Sequence, residues 1–162
     1  YGVELLEQSP RTRLASLYSL SDEQRITRTL ALTRFELPAH PAVEEQDAQI
    51  RSGESIGATL RQAGWTVVKN KTTDCQVTAG RRFALLGGST LNPEDGVLLR
   101  VYSLSVLKGD LAIDYATIAE AYHCEHIAPS SELPPADAVI ASLAGSQALA
   151  LTDLLTAMGQ ND

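Results

Sequence analysis

The sequence contains few aromatic residues and few cysteines. One Trp, two Phe and five Tyr among 162 residues leave Leu, Val, Ile and Ala to build most of any core. Two cysteines are too few for a disulfide framework, which favours a reducing cytoplasm. Cys75 stands in a strand-like run, where we expect a small buried hydrophobe rather than a reactive thiol.

Long apolar runs and an excess of basic residues are also missing. No apolar run approaches the ~20 residues that a membrane-spanning helix needs, and no signal peptide opens the chain. Thirteen basic residues stand against 20 acidic ones, for a formal net charge of −7. Domains that bind nucleic acid usually carry a basic face. We therefore expect no membrane contact and no direct DNA contact by this segment, and the charge is typical of a solubilising surface.

Several motifs of familiar enzyme classes do not occur. The chain has no Walker loop, no H-E-x-x-H and no C-x-x-C. The run His123-Cys124-Glu125-His126 offers zinc-type ligands, but a fourth ligand is not evident and the run falls where a strand ends. We expect a solvated strand end there, with no metal, no cofactor and no enzymatic activity.

The residues that are present predict a regular succession of strands and helices. Alternation of apolar and polar residues predicts strands at 11–20, 25–37, 65–78, 97–107 and 111–122. Helical patterns lie at 42–50, 54–63, 79–86 and within 136–158. Hairpins outnumber parallel crossovers in this order, and the chain length of 162 residues fits a single domain. The prediction is an α+β fold with a mainly antiparallel sheet and helices packed on one side.

One predicted strand carries a candidate anion site. Lys69, Lys71 and Thr73 are spaced by two residues, so a regular strand would place them on one face. Two lysines and a hydroxyl could then clamp a carboxylate or a phosphate. The alternative is an exposed edge face, where lysines discourage pairing with another strand.

Two further positions invite a binding role. Ser55 lies at the start of the predicted helix 54–63, where backbone N–H groups can bind an anion; ordinary helix capping is the alternative. Asp114 and Tyr115, in the last strand, offer a hydrogen-bond acceptor and an amphipathic ring. For Asp114 the alternative is a plain solvent-facing acid.

Short motifs along the chain occur in the order found in one protein family. They are the segment RLASLYSLSDEQRITRTLALTRFELP at 13–38 with its DEQ turn, SIGATLRQAG at 55–64, ALLG at 84–87 and IDY at 113–115. Over roughly residues 11–122 the chain resembles the UTRA domain. That domain is the effector-binding half of GntR-type transcription regulators of the HutC subfamily.

The resemblance implies a small-molecule sensor rather than an enzyme. Its core would span about 11–127, followed by a helical tail at about 128–162. A small anionic metabolite would bind in a pocket between the sheet and helix 54–63. DNA would be bound only through a winged-helix domain on the N-terminal side, absent from this chain, and the regulator would work as a homodimer.

The resemblance also implies roles for particular residues. An anionic group would be held by Lys69, Lys71 and Thr73 with the backbone at Ser55. Hydroxyl or amine groups of the ligand would be read by Asp114, Tyr115 and Tyr122, and a second acid would pair with Arg34.

Two other functions remain open. The same fold is shared with chorismate-pyruvate lyases, in which an arginine on the first hairpin and a glutamate on the last strand flank chorismate. Glu120 is similar to that glutamate, and Arg13 is the nearest arginine. The alternative is therefore a lyase in which Arg13 binds a carboxylate and Glu120 assists as acid or base. A structural module without a ligand is the third hypothesis.

Overall fold

The computed structural model describes residues 2–160, which form six strands and five helices. The strands are β1 Gly2–Gln8, β2 Thr12–Ser21, β3 Gln24–Phe35, β4 Thr66–Thr78, β5 Gly96–Lys108 and β6 Leu111–Tyr122. The helices are α1 Glu44–Arg51, α2 Ile56–Gln62, α3 Arg81–Leu86, α4 Ala136–Ile140 and α5 Gly145–Met158. Two short 3₁₀ turns, at Pro41–Val43 and Gly88–Thr90, precede α1 and follow α3. No helix among these residues is long and apolar enough to cross a membrane.

The strands form one antiparallel sheet in the order β1-β2-β3-β6-β5-β4. Both predicted hairpins are present. Between β2 and β3, Asp22 and Glu23 have φ angles of 50° and 66°, which suits the tight turn that matches strand twist. Between β5 and β6, Gly109 supplies the positive φ of 60°. These local turns explain why neighbouring strands in the sequence pair with each other.

The two faces of the sheet carry separate apolar clusters because side chains alternate along each strand. In β6, Ala119 and Ala121 belong to the first cluster, whereas Ala116 and Ile118 belong to the second. Helices α3, α4 and α5 pack on the first cluster. The predicted fold class, α+β with a mainly antiparallel sheet and helices packed on one side, is confirmed. The shorter α1 and α2 contribute residues to the second cluster.

Three parts of the chain differ from the prediction. Strand β1 was not predicted. It is a short edge strand with exposed Val3 and Leu5, so its sequence lacks a clear apolar stripe. Helix α3 starts only at Arg81, after Gly80 with a φ of 81°. The tail at 128–160 packs on the core, because α5 buries Leu151 fully in the first cluster; positions 161–162 of the predicted tail lie outside the described residues.

Candidate functional site

A cavity of about 210 Å³ lies between the sheet and helix α2. That is roughly seven times the ~30 Å³ that a water molecule takes up in the liquid, so a small metabolite fits. Its floor includes small residues on two adjacent strands, Ala15 and Ala31, which face each other across β2 and β3. The small side chains create the space, and it lies where the family resemblance implied a pocket.

Arg13 is the deepest charged residue of the cavity, with 4% of its surface exposed. Its Nη1 donates hydrogen bonds to the carbonyls of Ile50 and Glu54, at 2.9 and 2.8 Å. Within residues 2–160 its Nε is buried without a hydrogen-bond partner. Burial lowers the pKa of Arg13, but arginine keeps its charge at neutral pH. An unpartnered buried donor is costly, and an anionic oxygen in the cavity would relieve that cost.

Two further cations line the cavity, one from a strand and one from a helix. Lys69 comes from β4, and its Nζ lies 5.2 Å from the centre of the Tyr102 ring. Arg61 comes from α2. In the described part of the chain, neither has a carboxylate partner, whereas seven other basic residues form ion pairs. The cavity therefore concentrates positive charge in a protein whose net charge is negative.

Among residues 2–160, Glu120 supplies the one carboxylate of the cavity wall, and it is 8% exposed. It accepts a hydrogen bond of 3.0 Å from the Tyr122 hydroxyl, and its charge also acts on the Tyr102 hydroxyl. Burial, together with the Glu120 charge, raises the pKa of both tyrosines well above their ordinary value. Both hydroxyls therefore stay protonated at neutral pH, and that of Tyr122 donates to Glu120.

The structure brings together four of the residues predicted from the sequence. Ser55 and Lys69, expected in the sensor, line the same cavity as Arg13 and Glu120, expected in the lyase. Tyr122 contributes indirectly, through its hydrogen bond to Glu120.

The remaining predicted ligand residues lie elsewhere. Arg34 points to the other face of the sheet, where its Nη1 pairs with Asp153 of α5 at 3.1 Å. Lys71 is exposed and lies 3.4 Å from Asp74. Asp114 is exposed too, and it accepts a hydrogen bond from Ser105 at 3.0 Å.

Thr73 and Tyr115 also lie away from the cavity. A β-bulge between Lys71 and Thr73 shifts the register, so Lys71 pairs with Tyr102 whereas Thr73 pairs with Val101 of the first cluster. The prediction that Thr73 shares a face with the two lysines is therefore wrong. Tyr115 is buried in the second cluster, where its hydroxyl donates to Asp47 at 2.7 Å.

Ser55 lies within Gly53-Glu54-Ser55-Ile56-Gly57, which has the letters of a nucleophile-elbow motif. Such an elbow joins a strand to a helix, but this segment joins α1 to α2. The Ser55 Oγ accepts a hydrogen bond from the Ala58 N–H at 3.4 Å, as a helix cap. The geometry does not make Ser55 a nucleophile.

The run from His123 to His126 is partly buried structure rather than a solvated strand end. His123 is fully buried, and its ring is held by the Gly87 carbonyl at 3.0 Å and by the Glu125 N–H at 3.1 Å. The prediction of a solvated end is therefore wrong for His123. Among residues 2–160, no group of three His, Cys, Asp or Glu side chains is arranged to hold a metal ion. Cys75 is fully buried with a pKa raised to about 11 by burial, which confirms it as a small core residue.

Arg61 and Tyr102 are among the cavity residues that sequence reasoning missed. Arg61 follows Gly57 by four residues, so the helix period alone would have placed these two residues on one face of α2. Tyr102 stands in the most apolar strand of the chain, where the pattern indicates an ordinary core position. Its hydroxyl becomes informative only when the sheet register places it beside Glu120.

The fold and the cavity define the class of this molecule: an α+β protein with a small, positively lined cavity against one sheet face. No family model matches the chain, and no match was found among curated proteins or solved structures. The resemblance to the UTRA domain therefore stays a prediction from the sequence motifs.

Proposed function

We propose that this chain is an effector-binding domain that holds a small carboxylate-bearing metabolite in the cavity beneath α2. The observation that carries the proposal is the buried Arg13 guanidinium, whose Nε has no hydrogen-bond partner within residues 2–160. Lys69 and Arg61 add positive charge at the cavity rim. A planar carboxylate suits the guanidinium edge, because two parallel N–H···O bonds match its geometry.

Arg13 also supports a route by which the ligand could change the shape of the domain. The same guanidinium that faces the cavity donates to the carbonyls of Ile50, in α1, and of Glu54, in the loop between α1 and α2. A ligand bound to Nε would turn the Arg13 guanidinium and so weaken or strengthen its hydrogen bonds to the two carbonyls. The position of the loop between α1 and α2 would change with them. Such a change is what a sensor needs in order to shift the population of two arrangements.

The wider regulatory role rests on the family resemblance. In this proposal an attached winged-helix domain binds DNA, the regulator is a homodimer, and the effector-binding domain contacts no DNA itself. The formal net charge of −7 agrees with that division of roles.

The test is thermal unfolding of the chain with phosphosugars, phosphonates, amino acids, small carboxylates and chorismate. A ligand at about 100 times its Kd adds about 2.7 kcal/mol to the free energy of unfolding, and the midpoint rises accordingly. We expect a rise with carboxylates and recovery of the ligand unchanged.

Matched variants locate the effect. Lys69→Gln removes one cavity cation and should reduce the rise. Arg34→Gln removes a cation from the opposite sheet face and should leave the rise intact. Equal effects of the two changes, or no rise with any compound, would contradict the proposal.

A lyase acting on chorismate is the second candidate, favoured by one observation. Arg13 and Glu120 come from different strands, β2 and β6, yet both line the cavity. Arg13 would bind a substrate carboxylate, and Glu120 would exchange a proton with the substrate as pyruvate is released.

Pyruvate release from chorismate tests this second candidate directly. The Glu120→Gln variant keeps an acceptor for the Tyr122 hydroxyl and should retain the fold, as its unfolding midpoint would report. If the chain is a lyase, that variant loses pyruvate release. A wild-type chain that binds chorismate without releasing pyruvate refutes the lyase and leaves the sensor.

A further inference from the structure

Two residues of helix α2, Gly57 and Arg61, lie one helical turn apart at the cavity. A Cβ atom placed on Gly57 would stand 2.6 Å from Nη1 of Arg61, closer than two such atoms can approach. The guanidinium therefore lies over the bare backbone of Gly57, in space that any other residue would fill. Both residues line the cavity.

We propose that Arg61 determines the charge selectivity of the cavity and that Gly57 sets its position by lacking a side chain. This inference rests on the proposed binding of a small carboxylate. Nη1 of Arg13 already donates to two backbone carbonyls, and Nζ of Lys69 lies over the Tyr102 ring. Among residues 2–160, Arg61 is the cavity cation that makes no hydrogen bond, ion pair or ring contact, so its donors are available to a ligand.

The location of Arg61 suits a selecting role. It lies at the rim and is exposed, whereas Arg13 lies at the floor and is buried. A ligand carboxylate on Arg13 is buried, but an acidic group nearer the solvent meets Arg61. Hydrogen bonds between charged groups are stronger than neutral ones, so Arg61 would favour an anion over its uncharged isostere.

Gly57→Ala tests the geometry without changing any charge. The φ angle of Gly57 is not positive, so alanine fits the backbone, and it is the better helix former. The added methyl group meets only the end of a flexible side chain, which can move away cheaply. The variant should therefore unfold at the same or a higher temperature while its Arg61 is displaced from the cavity.

The experiment measures the Kd of isophthalate, malonate and chorismate, each of which carries two carboxylates, by calorimetry, with 3-carbamoylbenzoate as the match that keeps only one. Arg61→Gln should weaken binding of the three dicarboxylates about tenfold and leave that of 3-carbamoylbenzoate unchanged. Gly57→Ala should weaken carboxylate binding in the same direction, and it should have no further effect in the Arg61→Gln background. Arg81→Gln removes another exposed helical arginine, which lies outside the cavity, and should change nothing.

The possible failures are distinguishable. If the wild-type chain binds none of the three carboxylates, the proposed function is overturned and the inference with it. If it binds them but Arg61→Gln has the same affinities, only the role of Arg61 is overturned. A loss caused by Gly57→Ala that persists in the Arg61→Gln background would show that the methyl group blocks the cavity itself, and would overturn the role given to Gly57.

Discussion

Filling the cavity from its floor should stabilise the fold and abolish ligand binding at the same time. Ala31 lines the cavity and lies between Ala15 on β2 and Glu120 on β6. Ala31→Leu adds three carbon atoms that point into a space of about 210 Å³. The side chain would occupy the room that a ligand needs beside Arg13.

The expected gain follows from the buried carbon atoms. Each buried methylene contributes about 0.8 kcal/mol, and ordering a leucine side chain costs roughly 0.5–1 kcal/mol. The variant should therefore gain roughly 1.5 kcal/mol in its free energy of unfolding. For a chain of this size, that corresponds to a rise of roughly 3–6 °C in the unfolding midpoint.

The assay is thermal unfolding with and without a carboxylate that shifts the wild-type midpoint. Ala119→Leu is the matched control, because Ala119 is fully buried in the first cluster on the opposite face, next to Leu32. Overpacking there should cost about 1–3 kcal/mol. If Ala31→Leu destabilises the chain as much as Ala119→Leu does, the floor has no free space. If it stabilises the chain and the ligand still binds, the ligand lies elsewhere.

Two further predictions concern groups outside the cavity. Tyr115→Phe removes the hydroxyl that donates to buried Asp47. It should lower the free energy of unfolding, measured in urea, by about 1.5–3 kcal/mol and leave the carboxylate affinity unchanged. A loss of affinity would contradict the location of the binding site in the cavity. The hydrogen bond from Arg100 holds the pKa of Asp74 below its ordinary 3.8, so its stabilisation is present above that pH and is lost as the pH falls through the folded-state pKa. Asp74→Asn should therefore be less stable than wild type at neutral pH, and the difference should shrink well below pH 3.8; a difference independent of pH would rule out this carboxylate as its source.

The sequence predicted the longer strands well because their burial pattern is local. Strands β5 and β6 bury alternate or continuous apolar residues along 13 and 12 positions, and a glycine turn separates them. Such runs indicate a strand regardless of which other elements pack against it. Strand β1 has seven residues and sits at the sheet edge, where little burial is required, so its pattern carried too little information.

The candidate site was predicted only in part, because the charge of a strand residue does not reveal to which face of the sheet its side chain points. Lys69 and Arg34 are both cations in strands, yet one lines the cavity and the other pairs with α5. Which way each side chain points depends on the register of its strand, and a shift of one residue moves it to the other face. The bulge beside Thr73 is such a shift.

By itself, the sequence determined the order of the hairpins, the antiparallel sheet and the apolar helical faces, because turn residues and alternation act over a few neighbouring positions. Only the tertiary structure decided that Arg13 of β2 and Glu120 of β6 meet at one cavity, two strands apart in the sheet. The register between strands far apart in the chain, the small residues beneath the cavity and the bare backbone of Gly57 beneath Arg61 are all non-local. They arise from the packing of distant segments, which no local pattern records.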